Sequence, residues 1–200
     1  MEDEADRITG LYRRHARAWA EDRGTALTEG AWLDRFLAFL PAGAAILDLG
    51  CGSAEPIGRC LIETGHAVTG VDSAPEMIGM CEERFPSQEW RVADMRTLSL
   101  GRAFYGILAW DSFFHLRCDD QRRMFPVFRA HAAPGAALMF TSGPAHGVAM
   151  GRYRGEPLFH ASLDGAEYRA LLHAHGFEVE VNVVEDPNCG GRTVWLARLG

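Results

Sequence analysis

Along the first forty residues, side chains recur at helical spacing. Ile8, Leu11, His15, Ala18 and Trp19 form one stripe, and Trp32, Phe36, Leu37 and Leu40 a second. Gly24 and Gly30 punctuate between them, and Pro41 with Gly43 closes the second helix. From Ala45 the pattern changes to short apolar runs alternating with helical stretches. Ala45–Leu49 reads as a first strand and a helix follows around Ile57–Thr64; Ala67–Val71 reads as a second. Ser73-Ala74-Pro75-Glu76 then predicts a helix start, with Ser73 as N-cap, proline in the first turn and Glu76 closing a capping box. Trp90–Ala93 and Tyr105–Trp110 read as the third and fourth strands, Gln121–His131 as a helix and Ala136–Thr141 as the fifth strand. Asp164-Gly165-Ala166-Glu167 is a second capping-box pattern, opening a helix that stops at Gly176, with His173 and His175 suited to its C-terminal charge. Phe177–Val184 and Thr193–Ala197 suit a terminal antiparallel hairpin. Alternating strands and helices predict an α/β fold whose parallel sheet is covered on both faces.

Composition narrows the classes. The chain has 200 residues, 48% hydrophobic and 24% charged, which suits one globular domain over 1–200. No internal repeat, low-complexity tract or linker interrupts it. A formal net charge of -7 argues against broad phosphate contact, so no nucleic-acid partner is expected. The five cysteines are scattered and form no C-x-x-C pair, which suggests neither a disulfide framework nor a metal site. The acidic start Met1-Glu2-Asp3-Glu4 does not read as a signal peptide, and no apolar stretch is long enough to span a bilayer. A cytoplasmic protein with no membrane partner is the expectation; the oligomeric state is left open.

In open α/β sheets, ligands bind beyond the carboxyl ends of the strands, so the residues just after each strand carry the chemistry. After the first strand runs Asp48-Leu49-Gly50-Cys51-Gly52-Ser53-Ala54-Glu55-Pro56, whose glycines permit a sharp turn and close ligand approach. Asp72 follows the second strand, placed to accept hydrogen bonds from a ribose diol, and Ser73 comes next. Asp94 and Met95 follow the third. Trp110-Asp111-Ser112-Phe113-Phe114-His115-Leu116 follows the fourth.

This series resembles the class I S-adenosylmethionine-dependent methyltransferases of the small-molecule type. The likeness runs from about Ala45 to Leu116 at motif level. It implies a Rossmann-like, doubly wound, mostly parallel seven-stranded sheet and S-adenosyl-L-methionine as cofactor. By position it implies that Gly50, Cys51 and Gly52 line the methionine part of the cofactor and that Asp48 reaches its amino group through water. Asp72 would hold the ribose hydroxyls, and Asp94 and the Met95 backbone would meet the adenine. Ala54 departs from the pattern, standing where many members have a glycine. The likeness also implies that residues 1–40 form a helical lid and that 143–163, too long for a bare connection, forms an acceptor-side loop.

Two other functions stay open at this level. One is a protein that binds S-adenosylmethionine without turnover. The other is a nicotinamide dinucleotide oxidoreductase, although Glu55 occupies the position of that fingerprint's third glycine. His115 is either a general base for a small-molecule methyl acceptor or a structural histidine bonded to backbone. Trp110, Phe113 and Phe114 are either core or neighbours of the sulfonium, and Tyr12 and Trp19 either cover the cofactor or pack the helix. Arg152, Tyr153, Arg154, Phe159 and His160 are candidates for the acceptor pocket or for a solvated loop.

Overall fold

The computed structural model describes residues 4–200; the start of the chain at Met1-Glu2-Asp3 lies outside the described residues. Two helices, α1 (Ile8–Arg23) and α2 (Gly30–Leu37), precede an alternating series. It comprises β1 (Ala45–Leu49), α3 (Ile57–Glu63), β2 (Ala67–Asp72), α4 (Pro75–Arg84), β3 (Glu89–Val92), β4 (Phe104–Ala109), α5 (Cys118–His131) and β5 (Ala132–Ser142). The hairpin β6 (Gly147–Tyr153) and β7 (Glu156–Ser162), helix α6 (Gly165–Ala174) and strands β8 (Phe177–Asp186) and β9 (Arg192–Leu199) complete the chain.

Seven strands make one sheet in the order β3-β2-β1-β4-β5-β9-β8. The first five run parallel, and β9 enters antiparallel between β5 and β8. This is the doubly wound sheet with a C-terminal antiparallel hairpin that the alternation predicts. Period-two alternation sorts each strand between two cores. Leu47 and Leu49 face Phe125 and Phe128 of α5 and Leu172 of α6, whereas Ile46 faces Leu33 and Phe36 of α2 and Leu61 of α3. Strand order reverses between β1 and β4, which opens a crevice above their carboxyl ends.

Helix α1 belongs to neither main core. Its first half packs Ile8 and Leu11 on Leu158 and Phe159 of β7, and its second half packs Ala16 on Ala74 and Met77 of α4. The helix bends at His15, whose ring bonds Glu156. It therefore lies across the crevice instead of along the sheet.

Local expectations are met unevenly. Asp164 caps α6 by accepting from the Ala166 N–H at 2.8 Å, but Glu167 pairs with Arg122 and does not reach back. Ser73 is not the cap of α4. Ala74 is, without a side-chain cap bond, and Glu76 turns to Arg13 of α1. The Ser73 hydroxyl instead lies 3.1 Å from Thr9 Oγ1 of α1, while the Asp72 carboxylate takes the Ala74 N–H at 2.8 Å. The segment 143–163 is largely β-hairpin and not an open loop. It closes at Arg154 and Gly155, whose φ values of 48° and 86° make a mirror-image turn between the paired strands.

Candidate active site

The crevice holds a cavity of about 300 Å³. Its floor is the turn after β1. Gly50 and Gly52 take φ values of 74° and 53°, and the N–H groups of Gly50 and Cys51 both donate to the Val71 carbonyl at the end of β2. A Cβ on Gly50 would stand 2.2 Å from the Ser112 Cβ, so only glycine lets this turn pass beneath the β4 loop. Ala54, the departure in the glycine pattern, also adopts a left-handed conformation, at φ 61°. Gly58 makes room for its methyl, since a Cβ there would stand 2.8 Å from the Ala54 Cβ.

Two carboxylates sit behind this turn. Asp72 accepts from the Gly52 N–H at 3.0 Å and from the Ala74 N–H at 2.8 Å, tying β1, β2 and α4 together. Burial raises its pKa against the pull of those N–H groups. Asp48 is buried at 4% exposure, and burial together with the charge of Asp72 pushes it up to about 7. Asp94, beyond β3, is not free. Its oxygens accept from the Arg96 backbone and guanidinium, and Arg96 also reaches Asp120. Burial alone would raise Asp94, but those bonds outweigh it and hold the group below the usual carboxylate range.

At the far end, Asp111 follows β4 with φ 48°, a conformation non-glycine residues seldom adopt. Arg192 of β9 clamps its two oxygens at 2.9 Å and 2.7 Å, and its N–H donates to Thr141 Oγ1 at 2.8 Å. Beside it, the indole N–H of Trp110 is buried without a hydrogen-bond partner.

Residues 46–135 match the family model for a methyltransferase domain. Over these residues the chain is similar to a methyltransferase domain. The fold agrees across the whole chain. An amino pentose methyltransferase from Micromonospora echinaspora, solved with S-adenosylmethionine bound, is 21% identical; the likeness covers 92% of this chain and 96% of that one at a TM-score of 0.72. Magnesium protoporphyrin IX methyltransferase from Synechocystis PCC 6803, with S-adenosylhomocysteine bound, is 15% identical over 99% and 100% of the chains at a TM-score of 0.76. A 1,6-didemethyltoxoflavin-N1-methyltransferase from Burkholderia thailandensis is 19% identical over 95% and 84% at a TM-score of 0.72. No curated protein matches the chain.

Two of these neighbours hold S-adenosylmethionine or S-adenosylhomocysteine, and the cavity can be compared with that cofactor. Its own residues fit that group. A Cβ on Gly52 would meet nothing within 4 Å, so the turn leaves space for a ligand. Asp48 and Asp72 present poorly solvated negative charge to a cofactor rich in hydrogen-bond donors and carrying a cationic sulfur. The Trp110 N–H lacks an acceptor among the described residues.

Helix α1 roofs the cavity. Arg14 and His15 both bond Glu156 of the hairpin, Asp22 accepts from the Tyr153 hydroxyl at 2.7 Å, and Thr9 meets Ser73 at 3.1 Å. Tyr12 and Trp19 face the cavity in edge contact, with ring centroids 5.0 Å apart. Tyr12 also lies 2.8 Å from His115 Nε2, and His115 Nδ1 lies 2.8 Å from the Phe159 carbonyl. A carbonyl only accepts, so Nδ1 carries the ring proton and Nε2 receives the Tyr12 hydroxyl proton. Burial, with the neighbouring His160, pushes His115 down to about 3. Both nitrogens are engaged, so no acceptor reaches this histidine directly; the expectation of a directly acting base does not fit its surroundings. Phe113 is core, 0% exposed, while Phe114 packs edge-on to His115 and His160.

A pH dependence follows from Asp48. A cationic ligand beside it favours the ionised form, so its pKa falls on binding and a proton is released. Affinity for S-adenosylmethionine should rise about tenfold between pH 6 and pH 8, as the free-state group ionises near 7, and then level off. Titration calorimetry across that range checks this, with Asp48→Asn expected to flatten the profile.

Proposed function

We propose that the chain methylates a small molecule through an N–H or O–H nucleophile, with Tyr12 orienting that group. The observation that carries this reading is the Tyr12–His115–Phe159 chain of hydrogen bonds. The only phenolic proton of Tyr12 is given to His115, so its oxygen offers lone pairs to the cavity. Burial and the charges of Asp72 and Asp111 raise the Tyr12 pKa, so the phenol stays neutral. Such an oxygen accepts a hydrogen bond from the acceptor and points the nucleophile. The cofactor supplies an activated methyl group; the protein aligns the acceptor and excludes water.

A small acceptor is favoured by the roof. Helix α1 covers the cavity and is held there by bonds to the β6–β7 hairpin, which leaves a polymer no straight approach. The neighbours named above are described as acting on an amino pentose, magnesium protoporphyrin IX and 1,6-didemethyltoxoflavin. The test is to incubate the protein with methyl-tritiated S-adenosylmethionine and a cell extract split by molecular mass. Label should enter the small-molecule fraction. Label found only in nucleic acid or protein would contradict the proposal.

A further inference from the structure

We propose that Cys51 and Cys81 form a dithiol pair that a peroxide oxidises to a disulfide, and that this bond closes the turn after β1 to ligand. The consequence for binding rests on the cavity being the S-adenosylmethionine site; the thiol chemistry does not.

The two sulfurs converge on one oxygen. Cys81 Sγ donates to the Gly52 carbonyl at 3.1 Å, and Cys51 Sγ lies 3.7 Å from the same atom. The two thiols also hydrogen-bond each other. Packing leaves them little room to part. A Cβ on Gly70 of β2 would stand 2.9 Å from Cys51 Sγ and 2.3 Å from the Trp90 ring, so the sulfur rests against bare backbone on one side and α4 on the other.

Their exposures differ, and this sets the order of steps. Cys81 is 0% exposed, in the core with Ala54 and Trp90, whereas Cys51 is half-buried and lines the cavity. Hydrogen peroxide entering the cavity therefore meets Cys51 first. The Cys51 sulfur attacks one peroxide oxygen and the O–O bond breaks, which leaves a sulfenic acid on Cys51 and one water. The Cys81 sulfur then attacks the Cys51 sulfur; the S–O bond breaks, and hydroxide leaves with the Cys81 proton as a second water. Two thiols thus supply the two electrons that reduce the peroxide. The hydrogen bond with Cys81, burial and the charges of Asp72 and Asp48 push the Cys51 thiol up, so the reaction is slow at neutral pH and quickens in mild alkali. A disulfide draws the sulfurs to bonding distance and removes both S–H donors from the Gly52 carbonyl. Gly52 gives its own N–H to Asp72 at 3.0 Å, so a displaced turn disturbs the carboxylate placed for the ribose.

The test treats the reduced full chain with hydrogen peroxide at about pH 8, where more of the thiol is ionised, with and without saturating S-adenosylhomocysteine. Peptide mapping by mass should find Cys51 joined to Cys81. Titration calorimetry should find S-adenosylhomocysteine bound roughly tenfold more weakly or worse, the cost of a lost ligand contact. Dithiothreitol should restore the thiols and the affinity. Bound S-adenosylhomocysteine should cover Cys51 and slow cross-linking severalfold. Cys81→Ser keeps a donor for the Gly52 carbonyl but has no second sulfur. It should form no cross-link, and prolonged peroxide should carry its Cys51 to sulfinic acid, so that dithiothreitol does not bring its affinity back. Cys81→Ala takes its place if the serine variant does not fold. Absence of the Cys51–Cys81 bond in oxidised wild-type protein would overturn the proposal, as would a cross-linked protein of unchanged affinity or equal cross-linking with and without the ligand. Reduced protein that binds no S-adenosylhomocysteine would instead refute the cofactor reading and the consequence for binding with it, while the cross-link is still read by mass.

Discussion

Tyr12→Phe should slow single-turnover methyl transfer roughly 10²-fold, the cost of a misaligned nucleophile, while changing cofactor affinity little. His115→Ala should cost the same, because without Nε2 the Tyr12 proton no longer has a fixed direction. The double variant should lose no more than either single one, since the two side chains act as a unit. His115→Asn separates positioning from basicity. An amide both donates and accepts, so it can bond the Phe159 carbonyl and receive the Tyr12 hydroxyl as the imidazole does. Near-wild-type turnover in His115→Asn is the expected result, together with a saturated rate that shows no titration near 6.5. A variant as slow as His115→Ala, with loss of an acidic limb in the rate profile, would restore the general-base role. Thermal melting alongside keeps loss of fold distinct from loss of rate.

Asp72→Ala should weaken S-adenosylhomocysteine binding by about 1.5–3 kcal/mol, or roughly tenfold to 150-fold, the range for charge-assisted hydrogen bonds. The loss would have two sources. The carboxylate would no longer be there for the ribose, and the Gly52 N–H would lose the oxygen that fixes the turn. Unchanged affinity in the calorimeter would remove Asp72 from the cofactor site.

What the sequence makes legible here is local. Asp48, Gly50, Gly52 and Asp72 each sit at the end of a strand whose apolar run is clear, and the α/β architecture places such ends at a crevice. The alternation of short apolar runs with helical stretches also carries the sheet, because strands buried on both faces read as continuous apolar runs. Contacts between distant segments are a different matter. Arg192 meets Asp111 across 81 residues and His115 meets Phe159 across 44, and no spacing rule links either pair. Asp94 was expected to be available for adenine, but its neighbour Arg96 folds back on it, a choice of side-chain rotamer that spacing does not encode. The hairpin in 143–163 escapes notice for another reason. The first of its strands is mostly exposed and carries glycines at 147 and 151, so apolar alternation is weak.

The central claim is that the crevice above β1, β2 and β4 takes S-adenosylmethionine. Calorimetric titration of the purified chain with S-adenosylhomocysteine, and separately with NAD, tests it most directly. One saturable site per chain for S-adenosylhomocysteine and no saturable heat for NAD are the expected results. Binding of NAD at comparable affinity, or no binding of S-adenosylhomocysteine, would contradict it.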